Sequence, residues 1–189
     1  MITKPGERKL QILQTLAAML ESPRPEKVTT AALAAKLDVS EAALYRHFAS
    51  KAQMFEGLIE FIESTIFGLI NKIETETPDG AVQAAQIIAM LLNFAEKNPG
   101  MTRVLTGDAL VNEDERLQVR INQLHDRLEA SLKQSIRLAE MRESTGRDAG
   151  AEANLLLCYV IGRWQLFAKS RFKRAPAEQW EAQKKLLLG

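Results

Sequence analysis

Residues 28–48, VTTAALAAKLDVSEAALYRHF, constrain this chain more than any other stretch. They predict a short helix, a three-residue turn and a second short helix, each opened by a small hydroxyl residue. Thr29 and Ser40 are placed as N-caps, because their side-chain oxygens can accept from the free N–H groups of the turn that follows. Leu33, Leu37, Val39, Leu44 and Phe48 are spaced to bury one face of the pair, leaving Ser40, Glu41, Ala42, Tyr45, Arg46 and His47 outward. Alanines allow close approach, while tyrosine, arginine and histidine reach phosphates or base edges, so the second helix suits a DNA major groove. A helical hairpin that is merely packed is the competing reading.

Two further positions bear on the motif. Ser50 followed by Gln53 predicts a capping box and the start of another helix. Asp38 occupies the turn, and aspartate tolerates a left-handed backbone better than most residues.

The pattern resembles the TetR-type bacterial regulators, in which a three-helix DNA-binding head is followed by an aromatic-Xaa-Xaa-Ser-Lys element opening a long fourth helix. Here the corresponding stretch is Tyr45–Lys51, YRHFASK, and Asp38 stands in the preceding turn where the family usually has glycine. Residues 40–48, 54–63, 96–107 and 116–124 are similar to one branch of that family, the nucleoid occlusion factors, and the likeness covers most of residues 7–175. The resemblance implies an all-α fold, with a helix-turn-helix domain over residues 1–50 and a helical dimerisation and partner-binding domain over 51–189. It implies a palindromic double-stranded DNA site, a homodimer, and binding of the C-terminal tail of the division protein FtsZ. It places that last contact at Phe61, Met90, Asn93, Lys97 and Asn98. At Leu69 and Asn93 the chain departs from the family's residues.

Composition agrees with an all-helical reading. Leu, Ala, Glu, Lys, Arg and Gln dominate, and no segment sustains the two-residue alternation of a strand. No apolar run approaches ~20 residues and no secretory signal is visible, so neither a membrane span nor export is expected. A single cysteine excludes an internal disulfide and fits the cytoplasm, and the resemblance implies a protein on the nucleoid. Charge divides unevenly. Residues 1–51 carry eight Lys/Arg against five Asp/Glu, and the remainder carries seventeen against nineteen. A basic head on a slightly acidic body predicts DNA contact at one end, and the small excess makes a second copy of the head valuable.

Helical periodicity predicts a first helix over about 7–21 with Leu10, Leu13, Leu16, Ala17 and Leu20 on one stripe. Long helices are expected near 51–75, from Pro78 to before Asn98, over 112–145 and over 151–172. A short one carrying Val104, Leu105 and Leu110 lies between the second and third of these, a linker covers 146–150, and a last short helix holds Trp180.

Thr29 and Thr30 are expected to meet the DNA backbone, where a hydroxyl and free N–H groups favour a phosphate; capping alone is the alternative for Thr29. Tyr45 and His47 are assigned to phosphates, as is Lys51 by the resemblance. Base edges fall to Ser40, Glu41, Ala42 and Arg46. Tyr159, Gly162, Trp164 and Phe167 are expected at the dimer interface, with an intrachain core as the alternative. Phe61 and Met90 could equally serve as core. His47 and His125 lie in different elements, Cys158 is expected to pack, and Glu113 reads as part of a solvated helix start. No nucleophile–base set, metal-ligand spacing or cofactor motif is visible, so the chain reads as a non-enzyme. A ligand-responsive transcriptional repressor, with an effector cavity in the body, stands as the alternative function.

Overall fold

The structure is a computed structural model that describes residues 5–22, 28–143 and 146–189. Every regular element among them is helical. The order is α1 (Pro5–Leu20), α2 (Thr30–Lys36), α3 (Glu41–Tyr45), α4 (Lys51–Glu76), α5 (Gly80–Lys97) and α6 (Pro99–Leu105). A 3₁₀ turn (Asp108–Leu110) follows, then α7 (Glu115–Glu143), α8 (Ala149–Lys169) and α9 (Trp180–Leu187).

Side-chain caps set most of the starts. Thr29 accepts from Ala32 N, Ser40 from Ala43 N, Ser50 from Gln53 N and Asp79 from Val82 N. The expected start at Pro78 moves to Gly80, because Asp79 takes the cap and Pro78 falls outside the helix. Asp148 caps α8 by accepting from Gly150 and Ala151, which holds its carboxyl below the usual range and shortens the expected linker. The end of α8 moves back from 172 to Lys169, and Arg171 and Phe172 both turn into left-handed backbone beyond it.

α4 is the element that joins the two parts. Met54, Phe55, Leu58, Ile59, Ile62, Ile66 and Ile70 are buried along it, first against the head and then against the body. Apolar packing is continuous across the Ser50 cap, from the head into the body. In α1 the buried stripe is Ile12, Leu13, Leu16, Ala17 and Leu20, whereas Leu10 stays exposed. Leu117, Ile121, Leu124, Leu128, Leu132, Ile136 and Ala139 of α7 are buried as their three-and-four spacing predicts.

Two glycines permit close crossings. A Cβ on Gly100 would sit 2.0 Å from the Ala17 carbonyl oxygen, so α6 lies directly against α1. A Cβ on Gly80 would sit 2.1 Å from the Ser135 carbonyl oxygen, where α5 starts against α7. The first crossing seats the head on the body.

Candidate nucleic-acid interface

The head is built around α2 and α3. Leu33, Ala34, Leu44 and Phe48 are buried, Leu37 and Val39 half-buried, and the turn between the helices passes through Asp38 at φ 53°. Aspartate thus takes the left-handed position expected of it. Ser40, Glu41, Ala42, Tyr45 and Arg46 are exposed on one surface, with Tyr45 at 45% and His47 half-buried beside them.

Several of these groups already have partners. The Thr29 hydroxyl oxygen accepts from Ala32 N at 3.1 Å, so its capping role is occupied while the side chain stays exposed. Thr30 Oγ1 donates to Glu41 Oε2 at 2.5 Å, tying the start of α2 to the start of α3. This bond restrains the carboxylate assigned to base edges. At the start of α4, Ser50 Oγ accepts from Gln53 N at 3.2 Å while Gln53 Oε1 accepts from Ala49 N at 2.9 Å. The reciprocal cap is present, with its return bond one residue earlier than the standard form.

Lys51 is half-buried and does not stand free: its Nζ lies 2.5 Å from Glu113 Oε1. Glu113 is therefore no part of a solvated helix start; it precedes α7, and nothing in its local spacing reveals a partner sixty-two residues earlier.

A second face lies along α4 and α5. Those helices are joined by residues 77–79, and Gln83 Nε2 donates to the Glu74 and Thr77 carbonyls across the bend. With equal rise along two antiparallel helices, Phe61 falls about level with the last turns of α5. Phe61 is 36% exposed, Leu69, Asn93 and Lys97 are exposed, and Met90 and Asn98 are half-buried. Asn93 Nδ2 donates to the Ala89 carbonyl and Asn98 Nδ2 to that of Phe94. Phe61 and Met90 thus remain at the surface or its edge rather than in the core.

In the last helices, most of the residues expected at a dimer interface pack inside the chain, the alternative reading for them. Trp164 is fully buried within the chain and donates from Nε1 to the Leu91 carbonyl at 3.1 Å; Phe167 is buried against Phe172. Tyr159 donates to Gln183 Oε1 at 2.8 Å and packs on Trp180, and burial raises its phenol above the usual range. These three residues hold the protomer together, and of the four expected at a seam Gly162 alone faces outward. It belongs to a different stripe, Leu155, Cys158, Gly162 and Leu166, all exposed at steps of three and four. Cys158, expected to pack, sits on this stripe because the wide aromatic face of α8 turns inward instead.

No helix among the described residues is long and apolar enough to cross a membrane. The chain overlays a TetR transcription regulator from Haloarcula marismortui with a TM-score of 0.80 at 18% identity, covering 97% of each chain. It overlays the fatty acid degradation regulator FadR from Bacillus halodurans with a TM-score of 0.82 at 14% identity, covering 99% and 97%. These likenesses establish the fold. In sequence, residues 13–58 match the bacterial regulatory proteins of the tetR family, and residues 79–189 match the SlmA-like, tetracyclin repressor-like C-terminal domain. Nucleoid occlusion factor SlmA of Alteromonas mediterranea is 52% identical over 182 residues, which covers 95% of this chain and 93% of that protein. That of Marinomonas sp. is 49% identical over 97% and 94%. A helix-turn-helix head that matches the tetR family, on a body whose residues 79–189 match the SlmA-like domain, places this chain in the SlmA family of TetR-type nucleoid occlusion factors.

Proposed function

We propose that this chain, a DNA-binding nucleoid occlusion factor, works as a homodimer that engages the C-terminal tail of FtsZ when loaded on palindromic DNA, and so keeps the septum from forming over the chromosome. The observation that carries the reading is that likeness to the SlmA factors covers residues 79–189 of the body as well as the head. Thr29, Thr30, Tyr45, His47 and Lys51 hold phosphates in this reading, and Ser40, Glu41, Ala42 and Arg46 face base edges. Phosphate contacts set register and most of the affinity, while base edges set sequence.

The dimer seam is assigned to the exposed stripe of α8. Gly162 has nothing within 4 Å of a built Cβ, and Leu155 and Leu166 are 54% and 40% exposed. A glycine between two leucines lets a second helix approach closely, and a self-complementary patch gives a twofold. Two heads on such a trunk must reach successive major grooves, ~34 Å apart. The tail of FtsZ is assigned to Phe61, Met90, Asn93, Lys97 and Asn98, where apolar side chains carry a polar and basic rim suited to an acidic, partly apolar peptide.

Sedimentation of FtsZ polymers with this protein, with and without a duplex selected for tight binding, tests the reading. Polymer loss that requires the duplex supports it. Unchanged polymers in both arms remove the FtsZ assignment and leave a DNA-binding protein of another use.

A further inference from the structure

Among the described residues, Lys51 and Glu113 form the one reversed rung of a ladder between α4 and the segment that leads into α7. Deeper in the body, α4 supplies the carboxylates and the segment leading through α7 the arginines: Glu56 pairs with Arg116 at 2.8 Å and Glu63 with Arg120 at 2.8 Å. At the end nearest the recognition helix the signs exchange, and the head's ammonium faces the body's carboxylate. The pair is well shielded, with side chains 22% and 11% exposed, and the Lys51 Nζ also lies over the Phe55 ring, 5.7 Å from its centroid. The carboxylate is held by its backbone: Asn112 takes φ 66° and Glu113 N donates to the Leu110 carbonyl at 2.9 Å.

We propose that Glu113 is a positioning residue for DNA binding, a counter-ion that occupies Lys51 in the free protein and must give it up to a phosphate. This rests on the reading of Lys51 as a phosphate contact. A phosphate and a carboxylate carry like charge, so bringing both to one shielded ammonium sets them against each other. The body thereby sets how readily the head accepts DNA, through an interaction that touches no nucleotide. Part of the intrinsic affinity of each head is spent in opening the pair.

The test measures fluorescence anisotropy of the full chain on a selected duplex across a range of KCl. Lys51→Gln is expected to weaken binding and to reduce the slope of log affinity against log salt by about one per head. Glu113→Gln is expected to tighten binding by about threefold per head, the scale of a modest ion pair. In a Lys51→Gln background, Glu113→Gln is expected to change nothing, a pattern that loss of general structure would not produce. Glu113→Asp, which keeps the charge and shortens the reach, should tighten binding by a smaller factor and serves if the glutamine variant folds poorly. Unchanged or weaker binding by Glu113→Gln, with Lys51→Gln still harmful, overturns the counter-ion role alone. Unchanged affinity and slope in Lys51→Gln overturn the phosphate assignment, and the inference with it.

Discussion

At the scale of single residues, Thr29 joins a cap to a surface, and substitution can separate the two. Its hydroxyl oxygen accepts from Ala32 N while the residue stays exposed. Thr29→Ala should cost about 1 kcal/mol through the lost cap and lower affinity for specific and competitor duplexes alike. Thr29→Ser should restore most of both, and a loss confined to one base pair would contradict the phosphate assignment. His125 makes a separate prediction. Burial holds its imidazole below the ordinary value near 6.5, opposed by a hydrogen bond to the Leu105 backbone and by Asp126, and its buried Nε2 has no hydrogen-bond partner among the described residues. The unfolded chain therefore takes up this proton first. The contribution of neutral His125 to stability is fully present above that ordinary value and is lost as pH falls through the lowered one. Urea midpoints should drop as pH is taken below 6.5, and His125→Gln should flatten that part of the curve. Glu74, raised by burial from 4.5, acts with the opposite sign in a more acidic range.

At the scale of elements, glycine positions tell crossings from open faces. The Cβ of Gly100→Ala would meet the Ala17 carbonyl oxygen at 2.0 Å, backbone against backbone, so α6 must lift from α1. We expect a loss of about 3 kcal/mol in urea unfolding, together with weaker DNA binding, because α1 belongs to the head. Gly68 lies within α4 with nothing within 4 Å of a built Cβ. Gly68→Ala should stabilise the chain by about 0.5–1 kcal/mol, through helix propensity alone. A destabilised Gly68→Ala, or an unaffected Gly100→Ala, would contradict the packing described for these helices.

At the scale of the whole molecule, the proposed dimer requires that two heads be held to one duplex. Leu166→Glu places a charge on the exposed stripe of α8 without entering the protomer core. It should yield a monomer in sedimentation and lower DNA affinity by about a hundredfold, because the second head loses its tether. A Leu166→Glu chain that remains dimeric would move the seam elsewhere. If DNA and the FtsZ tail are coupled through α4, each must tighten the other by the same factor, and reciprocal titrations measure both sides of that equality.

The sequence by itself determined the elements and the family. Caps at Thr29, Ser40 and Ser50, apolar spacing in α4 and α7, and the tolerance of Asp38 for a left-handed turn are local matters, fixed by a few neighbouring residues. The outward set of the recognition helix was legible for the same reason, since the residues buried beneath it share its short segment. Tertiary structure decided the rest. A helix such as α8 carries two apolar faces, and periodicity does not say which one turns inward. Trp164 went into the protomer together with Leu156, Leu157, Val160 and Phe167, its indole N–H meeting the Leu91 carbonyl, and Leu155, Gly162 and Leu166 were left outside. The Lys51–Glu113 pair belongs to the same class, as opposite charges distant in the chain become partners only when packing removes the water between them.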